Sequence, residues 1–246
     1  MIPLKIRFIR EKNRIYNLML RMLSFFTPDA PVVYLFHDIT HSIEDVSSKF
    51  AITQQSFERF LLQKVNSGWT PLMFDEMADM ITGRHFVKQK SFTISFDDAN
   101  ESVFTKAYPF LKKHNIPFIV FITTELIGKP NFLNADQIVK MASDDLCTIG
   151  SHAKNHVMFR YLTKEKVEEE FYNSKKILED LTARKVSCFA FPYGRIVECS
   201  FANIRLLEKS DYDFGFSAIA GGLNQKWFTG KFFLPRVNVD ESMIND

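Results

Sequence analysis

The chain has 246 residues, 46% hydrophobic and 24% charged, enough apolar mass for a full core and too much for a disordered or coiled-coil protein. No apolar run approaches the roughly 18 residues a membrane-spanning helix needs, and three cysteines (Cys147, Cys188, Cys199) without CxxC spacing exclude a disulfide scaffold and a cysteine zinc ribbon. The net charge of +2 is uneven: residues 1–30 hold six cations against Glu11 and Asp29, +4 in all, leaving −2 for the rest and no basic body for nucleic acid.

Residues 1–30 read as a basic amphipathic leader helix. Ile15, Leu18, Met19, Met22, Leu23 and Phe26 recur at helical spacing, with Lys12, Arg14 and Arg21 opposite. Such a helix either packs on its own protein or associates peripherally with an anionic membrane surface. Arg21 interrupts the apolar stretch and no small-x-small site follows, so a secretory signal fits poorly. The expected setting is cytoplasmic, including the inner membrane surface.

From Pro31 onward strands and helices alternate. A strand is expected at 32–36, and Thr53 caps a helix over 54–67 that Gly68 ends. A second helix covers 74–82. A strand at 91–96 precedes a helix through Val103, Ala107, Phe110 and Leu111. A strand at 117–122, a helix at 135–142 and a strand at 146–149 follow. The longest helix, 164–182, turns Val167, Phe171, Leu178 and Leu181 to one side. Strands at 187–191, 214–219 and 232–239 and a helix at 201–209 complete the series. Repeated strand–helix units imply parallel strands with crossover helices, so 31–246 forms one α/β domain, a sheet or a barrel. Most of the 26 phenylalanines belong to its core. In such folds function gathers at the carboxyl ends of strands.

Three strand ends carry unusual polar residues. Ser95-Phe96-Asp97-Asp98 closes an apolar strand with two adjacent carboxylates. Such a pair is often a cap or a turn. Adjacent residues also diverge on leaving a strand, so one can hold a cation while the other stays free as a base. Gly150-Ser151-His152-Ala153-Lys154-Asn155-His156 sets two histidines four apart, the spacing that brings two imidazoles to one metal. Ala153 stands where a zincin has its glutamate, so this is not that protease motif. With a carboxylate from another strand end the pair makes a two-imidazole, one-carboxylate set with positions open for water. Phe189-Ala190-Phe191-Pro192-Tyr193-Gly194 brackets a tight turn that either exposes a backbone N–H or merely ends a strand.

The order FDD, SHxxxH, FPYG, together with His37 in Tyr34-Leu35-Phe36-His37-Asp38 and the Leu234-Pro235-Arg236-Val237 ending, resembles the polysaccharide deacetylase family (NodB-like, carbohydrate esterase family 4) over about residues 31 to 240. The resemblance implies a distorted (β/α) barrel of about seven parallel strands. It implies a metal-dependent hydrolase that removes N-acetyl groups from an N-acetylated sugar or glycan. Asp97 resembles the family's general base, acting on a metal-bound water. Asp98, His152 and His156 resemble the ligands of one divalent metal ion, zinc foremost with other divalent ions accepted. Pro192 and Tyr193 fall in the substrate-binding turn, where a backbone N–H meets the oxyanion. The chain also departs from the pattern. Ala99 replaces the usual glycine, Ala190 replaces an arginine, and no histidine beyond His156 is present as general acid. His37 is the expected proton donor in its place, and Arg236 the expected residue that orients Asp97. These departures keep two alternatives open: a glycan-binding or regulatory member with weakened catalysis, and a hydrolase of another C–N bond, such as a cyclic amide.

Overall fold

The computed structural model describes residues 29–42, 50–85, 88–225 and 230–244. All but the last two residues of the expected leader helix lie outside them. The strands are β1 Val32–Phe36, β2 Asp38–Thr40, β3 Ala51–Thr53, β4 Thr70–Pro71, β5 Ser91–Phe96, β6 Phe118–Ile122, β7 Cys147–Ser151, β8 Cys188–Ala190, β9 Phe214–Phe216 and β10 Val237–Asn238. The α-helices are α1 Gln54–Asn66, α2 Phe74–Thr82, α3 Tyr108–Lys113, α4 Ala135–Ala142, α5 Lys164–Thr182, α6 Ile196–Cys199 and α7 Phe201–Glu208. None of these helices is long and apolar enough to cross a membrane.

Seven strands form a parallel sheet in the order β10-β1-β5-β6-β7-β8-β9, with β4 alongside the start of β5. The sheet curls, and one segment stitches its two edges. Leu234 bridges to Phe216 of β9, while Val237 and Asn238 pair with Tyr34 and Leu35 of β1. The result is the expected distorted barrel. The strand expected at 232–239 is this stitch, shortened because Pro235 has no N–H to give and the Arg236 N–H turns to the Ile219 carbonyl (2.9 Å). The strand expected at 214–219 stops at Phe216, since the Ala218 N–H donates to Gly194 in a neighbouring turn (2.9 Å). The helix expected through Val103 to Leu111 is two pieces, a π-helical turn Val103–Ala107 and then α3, whose Pro109 cannot donate an N–H.

Both faces of the sheet are buried, as its near-continuous apolar strands require. Outward residues such as Phe36, Phe96, Val120 and Phe189 pack against Phe57, Phe110 and Phe171 of the surrounding helices. Inward residues Val33, Ile119, Phe121, Cys188, Ala190 and Phe216 form a second cluster with Phe74, Met77 and Ile81 of α2. The start of α2 shares a hollow with Cys147 and Ser187, so it sits at the amino ends of the strands. The carboxyl ends remain open.

Candidate metal centre

Side chains alternate along a strand with period two. The register pairs Leu35 with Ser95 and Phe121 with Gly150 on the inward face. The next inward position on each strand falls just past its end, at His37 after β1, Asp97 after β5, His152 after β7 and Pro192 after β8. His37, Asp97, Asp98, His152, His156 and Tyr193 line one pocket of about 580 Å³ there.

Two positive-φ residues split the carboxylates. Asp98 (φ +68°) and Ala99 (φ +67°) turn the chain sharply, so the position that departs from glycine does occupy the left-handed region. The Asp97 side chain is 4% exposed and the Asp98 side chain 28%. Arg236, itself buried, clamps Asp97 through Nη1 to Oδ1 and Nη2 to Oδ2, both 2.7 Å. The guanidinium also donates from Nε to the Ser217 carbonyl (2.7 Å) and lies 5.3 Å from the Phe121 ring centre. Gly150 makes room for that ring, since a Cβ there would fall 2.5 Å from it. Burial opposes charge on Asp97, but the Arg236 guanidinium, aided by His152, outweighs it and holds the pKa at about 2. Asp97 is an oriented, ionised carboxylate.

Asp98 has different neighbours. Its Oδ1 lies 3.3 Å from His156 Nε2 and 3.5 Å from His152 Nε2. No hydrogen bond reaches this buried oxygen among the described residues. His152 Nδ1 is 2.8 Å from the Ala190 carbonyl, which only accepts, so the ring proton sits on Nδ1 and Nε2 presents a lone pair. Burial pushes the His152 pKa down, against the pull of Asp97 and Asp98, which favours the neutral ring. One candidate ligand atom from each of Asp98, His152 and His156 lies within 4.8 Å of the others. An orphaned carboxylate oxygen facing imidazole nitrogen is costly to bury, and a cation among them would satisfy all three. Two nitrogens and one oxygen suit zinc and similar divalent ions.

His37 is half-buried beside these groups, and its buried Nδ1 finds no partner among the described residues. Burial pushes its pKa down while Asp97 and Asp98 oppose. The Phe50 ring covers it, with centroids 4.9 Å apart. Tyr193 has φ +62°, and no hydrogen bond among the described residues takes its N–H. Its exposed ring lies 4.6 Å from that of His156. Pro192 is buried at the start of this turn. His41, His85 and His114 are exposed. Phe50, Glu198, Asn238 and Asp240 share the pocket without any marking motif. Asn238 and Asp240 nevertheless lie at a strand's carboxyl end, where function was expected to gather.

Comparison with known proteins adds to this geometry. A family described as polysaccharide deacetylase matches residues 85–210. The chain is similar to YxkH of Bacillus subtilis strain 168, 27% identical over 203 residues, which cover 82% of this chain and 70% of YxkH. It is also similar to the poly-beta-1,6-N-acetyl-D-glucosamine N-deacetylase of Staphylococcus aureus, 26% identical over 171 residues covering 62% of this chain. The match spans only 56% of that enzyme's length. Among solved structures, IcaB from Ammonifex degensii superposes with a TM-score of 0.77 at 24% identity, over 88% of this chain and 94% of IcaB. Streptococcus pyogenes deacetylase PplD gives 0.76 at 20% identity, over 87% and 94%. Likeness at these identities speaks for the fold.

Proposed function

Because the chain belongs to the polysaccharide deacetylase family, we propose that it hydrolyses N-acetyl groups on a glycan, with Asp98, His152 and His156 holding one divalent metal ion and Asp97 acting as general base. The observation that carries this reading is the opposite treatment of two adjacent carboxylates. Asp97 is neutralised and aimed by Arg236, whereas Asp98 faces two imidazoles with no donor. A divalent cation held there supplies Lewis acidity, which lowers the pKa of water toward about 7 and polarises a carbonyl.

The protein's own groups account for the remaining demands. A carboxylate with a pKa of about 2 is a weak base, suited only to a water already made acidic. Asp97 Oδ2 lies 3.9 Å from His152 Nε2, beside the ligand set, where such a proton would be released. The Tyr193 N–H is available to an oxyanion, and losing a donor of that kind costs about 3 kcal/mol. His37, with Nδ1 unpaired, would serve to protonate the departing amine, Asp97 and Asp98 favouring its charged form against the burial that lowers its pKa. Pro192 shapes the turn that presents the Tyr193 N–H to substrate.

The substrate named for the staphylococcal relative, poly-β-1,6-N-acetylglucosamine, is the first to test. Acetate release from it and from other N-acetylated glycans is expected with Zn²⁺ and lost with a chelator. Asp97→Asn should abolish release while leaving bound zinc unchanged by elemental analysis. Normal turnover in that variant would refute the assigned base. No acetate from any N-acetylated glycan with metal-replete protein would favour a glycan-binding member instead.

A further inference from the structure

The two histidines are held unequally. His152 donates its backbone N–H to Ile122 (2.9 Å), accepts from Thr123 Oγ1 at its carbonyl (3.2 Å) and ties its ring to Ala190. His156 lies four residues further along a loop. One side of that loop is pinned where the N–H groups of Thr124 and Glu125 meet the carbonyls of Ala153 and Lys154 (3.2 and 3.0 Å). The other side is pinned by a single buried carboxylate. Glu170 of α5 accepts the Asn155 backbone N–H at Oε2 (2.8 Å) and the Asn155 Nδ2 at Oε1 (2.7 Å). Both donor groups of the residue before His156 are thereby engaged by one side chain. Bonds to an ionised acceptor are the strong and directional ones.

The same helix holds the other end of the loop. Ser174, one turn beyond Glu170, donates to the Glu170 carbonyl and accepts from Ser151 Oγ, both 2.7 Å. Ser151 immediately precedes His152. Helix α5 therefore grips the residue before each imidazole and sets the span between them.

We infer that Glu170 is a positioning residue for the cation site: by fixing Asn155 it sets where His156 stands against Asp98 and His152. It controls ion affinity and coordination geometry without touching the ion. The inference rests on the reading of Asp98, His152 and His156 as metal ligands.

The test is a calorimetric Zn²⁺ titration of the metal-stripped protein, with the visible absorption of the Co²⁺-loaded form reporting ligand geometry. If the unaltered protein binds no ion, the ligand reading falls and this inference with it. If it binds, Glu170→Gln should weaken Zn²⁺ by about 10–100-fold, the usual effect of losing a group that orients a ligand, and should alter the Co²⁺ spectrum. Adding Asn155→Asp to Glu170→Gln reverses the pair. The introduced glutamine then accepts the backbone N–H and donates to the new aspartate, so affinity and spectrum should return toward those of the unaltered protein. Asn155→Ala keeps the Glu170 charge and should also weaken binding; it carries the test if Glu170→Gln does not fold. Unchanged affinity in Asn155→Ala beside a weakened Glu170→Gln would assign the effect to charge and overturn the inference. So would Glu170→Gln binding like the unaltered protein, or no recovery in the double variant.

Discussion

Asp97 and Asp98 are chain neighbours with opposite surroundings, and the difference lies in one residue and two dihedral angles. Arg236 spends two of its N–H groups on Asp97 from the far end of the sequence. Replacing it by methionine would keep the packing on Phe121 but leave a buried carboxylate unpaired. Breaking such a pair costs about 3–5 kcal/mol. Arg236→Met is therefore expected to lower the denaturation midpoint and to cut acetate release by about 100-fold or more through a misdirected base. Bound zinc should stay, since Arg236 is no ligand; a variant with near-normal turnover would show that Asp97 needs no such clamp. The left-handed pair Asp98 and Ala99 makes a second case. An L residue at φ +67° carries strain of about 1–2 kcal/mol, and glycine does not. Ala99→Gly should raise stability to chemical denaturation by up to about 1 kcal/mol, the gain reduced by the freer unfolded chain. A lower midpoint would mean that the buried Ala99 methyl group contributes more than the strain costs. The family resemblance pointed to this strain, because alanine stands where that family usually has glycine. The positive φ of Ala153 and of Tyr193 was not legible, since neither residue type signals it.

Elements with their signals inside a short window were legible. Thr53 does cap α1 by accepting the Ser56 N–H (3.2 Å), and β1, β5 and α5 fall at their expected positions. The three-residue pair β2–β3 and the break-up of the last strand were not, because those are decided by partners elsewhere in the barrel. The start of α1 shows the same limit. Glu241, near the other end of the chain, accepts the Thr53 N–H at Oε2 (2.9 Å) and the Ser56 hydroxyl at Oε1 (2.5 Å). A carboxylate at a helix N-terminus is favourable through the exposed N–H groups and the helix dipole. Glu241→Ala should therefore cost about 1–2 kcal/mol, read from denaturant unfolding. A loss below a few tenths would show that Thr53 alone suffices as the cap. No local pattern links residues 53 and 241, so nothing in the sequence points from one to the other.

At the scale of the whole molecule, the strand-end rule located the pocket because a curled parallel sheet brings the ends of β1, β5, β7 and β8 to one mouth. The proposed ligands come from two of those ends, Asp98 after β5 and His152 and His156 after β7, with β6 between them. An ion held there would tie together loops that are otherwise joined through a neighbouring strand, and would bind the folded barrel far better than the unfolded chain. Its stabilisation then follows mass action, about 2.7 kcal/mol when free ion stands at 100 times its Kd. For a domain of this size each kcal/mol moves Tm by roughly 2–4 °C. Zn²⁺ should therefore raise the unfolding temperature by about 5–10 °C over a chelator-treated sample. His152→Ala should abolish that shift, and Asp97→Asn should keep it, because Asp97 is held by Arg236 and stands outside the proposed ligand set. An equal shift in both variants would place the ion elsewhere on the protein. Loss of the shift in Asp97→Asn alone would mean that Asp97 is the ligand, with the division of labour between the two carboxylates reversed.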